Sequence, residues 1–368
     1  MIANLSVSVS GIRFLNPVLT AAGPNVRTAE LMLQAVAGGA GGIVSKTVSL
    51  QAARDPRPTI RGTACRGLMN CETWSEMPVE EYIPECRKVK DAGVPLVVSI
   101  GYKPDEVSRL GKMFEAEVGP AAIEFSTHYV GRSLEPLVEV AQALRGSVSV
   151  PIWMKISPNF PDIEKLAVTV APVVDGFVAI NSYGPVLDFD VDSGAPLLGS
   201  DQGQGWMSGP PILPIAVRIV HRLTSVQDKP VIGVGGIEKG VDAIKFFMAG
   251  ASAVQICSAA IRNGHAVYGK VAHEIGEWLD KHGYGSVQEI QGLYGRRLRE
   301  RRAFDGQPVM SVDPEKCTGC AACQARCVQG ALYMEREVAW VRAENCIGCG
   351  FCQDFCTYDA MALKDRAE

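Results

Sequence analysis

The sequence predicts an α/β chain built as a (β/α)8 TIM barrel with a small cysteine-rich domain after it. Three observations predict this. Short, almost wholly apolar runs rich in β-branched residues alternate with longer amphipathic stretches over residues 1–285. The polar residues that break the pattern gather at the ends of those runs. Behind them one cysteine spacing occurs twice, as Cys317-x2-Cys320-x2-Cys323-x3-Cys327 and Cys346-x2-Cys349-x2-Cys352-x3-Cys356.

In chain order, the predicted strands are Val18–Ala22, Gly42–Lys46, Leu96–Ile100, Ala122–Ser126, Ile152–Ile156, Gly176–Ile180, Val231–Gly235 and Ala253–Cys257. Continuous apolar strands separated by helices imply a parallel sheet buried on both faces. Eight such units over this length point to a closed barrel. The competitor is an open doubly wound sheet, but the first turn lacks GxGxxG. Two long segments, 47–77 and 182–209, are rich in Gly, Pro and polar residues and read as substrate-side loops or lids. Residues 286–308 read as a basic linker carrying Arg296, Arg297, Arg299, Arg301 and Arg302. Such a run is ordinarily a solvated helix face, and its functional alternative is a docking surface for an acidic redox partner. Residues 309–368 form the terminal domain.

Bulk properties narrow the class. With 368 residues, 47% hydrophobic and 21% charged, the chain has material for one large core and one small one. A net charge of −4 gives no reason to expect nucleic acid. The amino terminus has no secretory pattern, and no apolar stretch is long enough to span a bilayer. Of the 12 cysteines, Cys65, Cys71, Cys86 and Cys257 lie outside the two strings and show no paired spacing, which favours a reducing cytoplasm.

The repeated string has the bacterial ferredoxin spacing, so the terminal domain reads as ferredoxin-like with two [4Fe–4S] clusters. Three thiolates of each run cap one cluster and the fourth reaches the other. Cys317, Cys320, Cys323 and Cys356 then hold the first, and Cys346, Cys349, Cys352 and Cys327 the second. Val328 and Thr357 stand where proline usually follows the fourth cysteine. A zinc site or disulfides would be the alternative, but the duplication speaks against both.

In a barrel, active groups lie where strands end, and Lys46, Ser126, Lys155, Asn181 and Gly235-Gly236 all fall there. The turns after strands seven and eight, with a helix beginning near Lys239, offer backbone N–H groups to a phosphate. A lysine in a barrel mouth has no cheap structural explanation, because an unpaired buried ammonium costs several kcal/mol. Lys155 therefore reads as a cation for the N1–C2=O edge of a flavin, and Lys46 with Thr47 as contacts to the rest of its pyrimidine ring.

Asn16–Gly23, Ser45-Lys-Thr47, Trp153–Asn159, Gly235-Gly-Ile237 and Gln255-Ile-Cys-Ser-Ala259 resemble the dihydroorotate dehydrogenase superfamily. Within it, the likeness is to the FMN and iron–sulfur part of dihydropyrimidine dehydrogenase, including that subunit of the bacterial NAD-dependent enzyme. The resemblance covers nearly the whole chain. It implies FMN held by Ala22, Gly23, Lys46, Thr47, Lys155, Asn181, Ser182, Gly209, Gly235, Gly236, Cys257 and Ser258. It also implies a pyrimidine-like substrate contacted by Asn70, Asn181 and Ser126. Asn70 has tying down its own loop as an alternative role.

The fourth strand departs from the family. There the stretch Glu-Leu-Asn-Leu-Ser-Cys-Pro supplies a contacting Asn and an acid/base Cys, whereas this chain reads Glu124-Phe-Ser-Thr-His-Tyr-Val130. Ser126 replaces the Asn and Tyr129 replaces the Cys, with His128 just before it. Tyr129 or His128 becomes the candidate acid, with Lys46 completing the candidate catalytic group.

The implied activity is reduction or oxidation of a conjugated C=C in a cyclic substrate, with electrons relayed through the clusters. The rival reading is an electron-transfer subunit that passes electrons between protein partners without a small-molecule substrate of its own. No nicotinamide or FAD fingerprint is present, so NAD(P)H would bind a partner flavoprotein subunit. Barrels of this group often associate, which extends the expectation to a homo-oligomer.

Overall fold

The computed structural model describes residues 3–126, 131, 133–301 and 306–365. The chain divides into two compact units after Leu298.

In the first unit the eight expected strands form one parallel sheet. They are Val18–Thr20, Ile43–Val44, Leu96–Ile100, Ala122–Ser126, Ile152–Ile156, Gly176–Ala179, Val231–Val234 and Ala253–Ile256, called here the first to eighth barrel strands. Neighbours in sequence are neighbours in the sheet, and the eighth strand pairs with the first. The first and second strands join through a parallel bridge between Leu19 and Gly42, where Gly41 N donates to Val18 O at 2.8 Å. Every residue of these strands is buried. Their Val and Ile side chains suit a pleated surface covered on both sides, and each large side chain buried contributes roughly 1.5–3 kcal/mol.

The hairpin Val7–Val9/Ile12–Phe14 sits beneath the N-terminal ends of the strands. Ser10 Oγ donates to Asp175 O at 2.7 Å, just ahead of the sixth strand, and accepts from Trp153 Nε1 at 3.0 Å. Because strand side chains alternate, Trp153 and Lys155 share the inward face of the fifth strand. Tryptophan lies at the closed end and lysine one layer nearer the open mouth.

The two long segments expected as loops are ordered together. Ile60–Gly62 and Leu68–Asn70 pair antiparallel, and Leu68–Asn70 pairs in turn with Gln204–Ser208, which pairs with Tyr183–Leu187. Asn70 stands opposite Trp206. Both hairpins are local, but the pairing of Leu68–Asn70 with Gln204–Ser208 that joins them spans more than a hundred residues and leaves no local signature.

Helices Val287–Ile290 and Leu293–Glu300 close the first unit. The Tyr294 ring meets His221 edge-on at 4.9 Å, and Arg296 donates to the carbonyls of Gln291 and Glu289. No helix among the described residues is long and apolar enough to cross a membrane.

The second unit contains two small antiparallel pairs, Val309–Val312 with Met361–Lys364 and Leu332–Glu335 with Val338–Val341. Its buried apolar cluster is Met310, Leu332, Ala339 and Met361, with cysteines of both strings packed against it.

Candidate functional site

A single cavity opens where the barrel strands end. Ala22 and Gly23 line it from the first strand, Lys46 and Thr47 from the second, and Ser126 and Lys155 from the fourth and fifth. Asn181 and Ser182 follow the sixth strand, Gly235 and Gly236 the seventh, and Cys257 and Ser258 the eighth. The antiparallel sheet above contributes Asn70, Glu72, Trp206 and, just beyond its strand, Gly209. Every flavin and substrate residue expected from the sequence outside 127–130 therefore faces one space. Tyr129 and His128 lie outside the described residues.

The charges differ from expectation in one respect: neither lysine is unpaired. Lys155 Nζ lies 3.1 Å from Glu124 Oε1, and the Glu124 side chain is fully buried. Lys46 Nζ lies 3.1 Å from Glu72 Oε2. A buried ion pair returns little net stability, whereas deleting one partner costs about 3–5 kcal/mol. Such pairs inside a cavity are therefore better explained by what they face than by what they stabilise. Glu124 had a readable signal, since it precedes Ser126 by two residues and so points inward with it. Glu72 had none beyond its place on the long segment.

Gln255 completes the floor. Its Nε2 donates to Glu124 Oε2 at 2.8 Å, while its Oε1 is buried without a hydrogen-bond partner among the described residues. Thr47 Oγ1 and Ser99 Oγ are hydrogen-bonded at 2.9 Å. Asn70 Nδ2 donates to Trp206 O at 3.1 Å, so this amide does tie the two long segments together while also lining the cavity. Asn181 N–H donates to Ile156 O, and Asn181 Oδ1 accepts from Ser182 N.

A second chain of bonds sits beside the eighth strand. Cys257 Sγ donates to Asn25 Oδ1 at 3.4 Å, Asn25 Nδ2 donates to Tyr268 Oη at 2.9 Å, and Tyr268 donates to Ile256 O at 3.3 Å. Burial pushes the Cys257 thiol up to about 11, against the pull of Lys155 and Lys46. It is therefore a neutral thiol near pH 7 and no nucleophile. Gly23 packs against it so closely that a Cβ there would stand 2.3 Å from Cys257 Sγ.

The phosphate end needs a correction. The helix Gly240–Ala249 does begin beside the Gly235-Gly236 turn, but its leading N–H groups are already used. Glu238 N and Lys239 N donate to Asp242 Oδ2, and Gly240 N donates to Glu274 Oε2 at 2.6 Å. An anion there would instead meet the Gly235–Ile237 turn and the turn at Ser258. Gly236 has φ +77°, and an added Cβ would stand 2.9 Å from Gly209 O and 2.8 Å from Leu213 Cβ. Gly236→Ala should therefore cost about 1–3 kcal/mol through backbone strain. It should also leave purified protein depleted of flavin, read from its flavin absorbance after ultrafiltration.

These features fit a flavin mononucleotide. Two paired cations line the cavity together with Gln255, whose buried Oε1 has no partner among the described residues, and glycine turns stand at one end. FMN would be held by the residues already named there.

In the terminal unit, Cys317, Cys320, Cys323 and Cys356 line one pocket, joining three members of the first string to the last of the second. Cys349, Cys323 and Cys327 lie close enough to Cys352 to raise its thiol, after burial, to about 11. Backbone N–H groups of Met310, Ala339 and Ala360 donate to the sulfurs of Cys346, Cys317 and Cys356 at 3.3–3.4 Å. Among the described residues no three His, Cys, Asp or Glu side chains converge as they would around a single ion. A mononuclear zinc would need thiolates about 4 Å apart, whereas a cubane spreads its ligands over separate corners. The donor set suits iron–sulfur clusters.

Comparison with known proteins adds to this geometry. A family model described as dihydroorotate dehydrogenase matches residues 4–279, and one described as a 4Fe-4S dicluster domain matches residues 309–357. The chain is 35% identical over 299 residues to the catalytic subunit of dihydroorotate dehydrogenase B (NAD(+)) from Pyrococcus abyssi, covering 78% of this chain and 98% of that protein. The corresponding subunit of Methanothermobacter thermautotrophicus is 33% identical over 303 residues, covering 78% of this chain and 98% of its own. NAD-dependent dihydropyrimidine dehydrogenase subunit PreA of Escherichia coli K12 is 26% identical over 354 residues, 89% of this chain and 86% of that protein.

Proposed function

The chain belongs to the dihydroorotate dehydrogenase family, and from that premise we propose an FMN- and iron–sulfur-dependent oxidoreductase whose two [4Fe–4S] clusters relay electrons to or from a cyclic, pyrimidine-like substrate. It acts on a CH–CH bond, as its relatives do. The observation that carries the reading is the single cavity shared by Lys46, Lys155, Asn70, Asn181 and the glycine turns. When bound, FMN exchanges electrons in pairs with an organic substrate and singly with clusters.

The protein's own residues divide the remaining work. Lys155 supplies positive charge at the floor, and Lys46 supplies it on the wall beside Glu72. Asn70 and Asn181 offer amide groups suited to an imide or carboxamide edge, and Ser126 borders the same space. Tyr129 or His128, three and two residues after Ser126 in sequence, provides the proton that completes reduction of the double bond. The sheet contributed by the two long segments covers the mouth and limits water. NAD(P)H is oxidised on a partner flavoprotein subunit, in a reducing cytoplasm. The shared word "subunit" in the names of the relatives supports a partner of this kind.

The test is anaerobic. Protein with FMN and iron quantified is reduced, then mixed in turn with uracil, thymine and orotate while flavin and cluster absorbance are followed. Reoxidation with formation of the dihydro product is expected from one of them. Silence from all three, together with electron exchange between protein donors and acceptors, would instead support the relay.

A further inference from the structure

Glu124 does not itself line the cavity, yet both residues it holds do. Lys155 is on the adjacent fifth strand, but Gln255 is on the eighth, which in the sheet neighbours only the first and seventh strands. The two bonds, Lys155 Nζ to Glu124 Oε1 at 3.1 Å and Gln255 Nε2 to Glu124 Oε2 at 2.8 Å, thus brace the barrel interior from one side to the other. Packing alone does not call for this arrangement. An apolar residue of similar volume would fill the space at no desolvation cost, and buried pairs commonly stabilise less than such a replacement. The brace also leaves Gln255 Oε1 buried and without a partner among the described residues, which is expensive unless something else donates to it.

We propose that Glu124 is a positioning residue for the flavin: it fixes Lys155 and Gln255 at the cavity floor and offsets the charge of Lys155, so that oxidised and reduced cofactor are held with balanced affinity. The proposal rests on the FMN reading above. Two-electron, one-proton uptake adds one negative charge to the cofactor, and an uncompensated Lys155 would favour that form. The carboxylate directly behind the ammonium restrains the preference. Gln255 lines the same space, and its Oε1 is the acceptor it offers the cofactor in either redox form.

The experiment uses the full chain under anaerobic conditions, titrated with dithionite against a redox dye, alongside FMN binding by the apoprotein followed through flavin fluorescence. Glu124→Gln is expected to bind FMN and to favour the reduced over the oxidised form about tenfold relative to wild type, a shift of about 30 mV for a two-electron couple. Glu124→Asp, which restores the charge, should return most of the shift. Gln255→Leu, which alters no charge, should weaken both forms alike by about tenfold and so leave the potential in place. An unchanged potential in Glu124→Gln, or equal shifts in Glu124→Gln and Glu124→Asp, would overturn the charge role. Unchanged FMN affinity in Gln255→Leu would overturn the acceptor role even if Glu124→Gln failed to accumulate. Wild-type protein unable to bind FMN at all would sink the flavin reading itself, a result distinct from either.

Discussion

Cys356→Ala should lose about half of the protein's iron, and the half it loses should belong with the first cysteine string. Cys356 shares a pocket with Cys317, Cys320 and Cys323. Cys327 and Cys349 both lie near enough to Cys352 for their charge to be felt there. Crossed ligation makes a sharp distinction between double variants. Cys317→Ala with Cys356→Ala should resemble Cys356→Ala alone, because both changes strike one cluster. Cys327→Ala with Cys356→Ala should lose nearly all iron. If each string held its own cluster, both double variants would be iron-free, so the double variant at 317 and 356 is the one that discriminates. Iron analysis and low-temperature EPR of the reduced protein decide between them.

Cys327→Ala with Cys356→Ala, the double variant that loses nearly all iron, should also cost the terminal unit its fold. Among the described residues its buried apolar cluster is Met310, Leu332, Ala339 and Met361. So small an apolar core ordinarily needs a metal or disulfides to hold a domain of this size. Cluster ligation and the N–H···S bonds from Met310, Ala339 and Ala360 are the interactions suited to that task, and binding the metal and folding should then be one event. The buried barrel core owes nothing to iron and should persist in the same variant.

Much of this was legible in the sequence because parallel barrel strands are apolar along their whole length. Val231–Val234 and Ala253–Ile256 needed no partner to be recognised, and their ends moved by only one residue. The cavity followed from them, since a barrel dictates that Lys46, Lys155, Gly235 and Cys257 converge once their strands are placed. What stayed hidden was pairing between distant segments. Leu68–Asn70 has a local partner in Ile60–Gly62, but its pairing with Gln204–Ser208 is set by the fold, and Lys46 finds Glu72 only because that sheet folds over the mouth. The phosphate turn shows both sides of this limit. Asp242, three residues after Lys239, is a readable helix cap, whereas Glu274 reaches Gly240 N from a different helix.

Tyr129→Phe is expected to lower turnover about 10²–10⁴-fold, the usual contribution of a positioned acid, while electron delivery from the clusters to the flavin continues at its normal rate. The argument starts from Ser126, which ends the fourth barrel strand buried, in register with Lys155 and on the cavity wall. His128 and Tyr129 follow it in sequence, and the family's acid comes from this same stretch. A proton must reach the substrate carbon next to the one that exchanges hydride, and the cavity's two lysines are engaged with Glu72 and Glu124. The pH profile identifies the donor. With ordinary values of about 10 for tyrosine and 6.5 for histidine, an acid that must be protonated fails above its own pKa. Tyrosine would keep the rate level through neutral pH, whereas histidine would let it fall from about pH 6.5 upward. Stopped-flow traces separate the two halves of the cycle: flavin reduction should be fast in both Tyr129→Phe and His128→Ala, with only substrate-dependent reoxidation slowed. Full turnover in both variants would move the acid elsewhere. Slow reoxidation with normal exchange between protein partners would show that the clusters and flavin work as a relay even when the organic half-reaction is disabled.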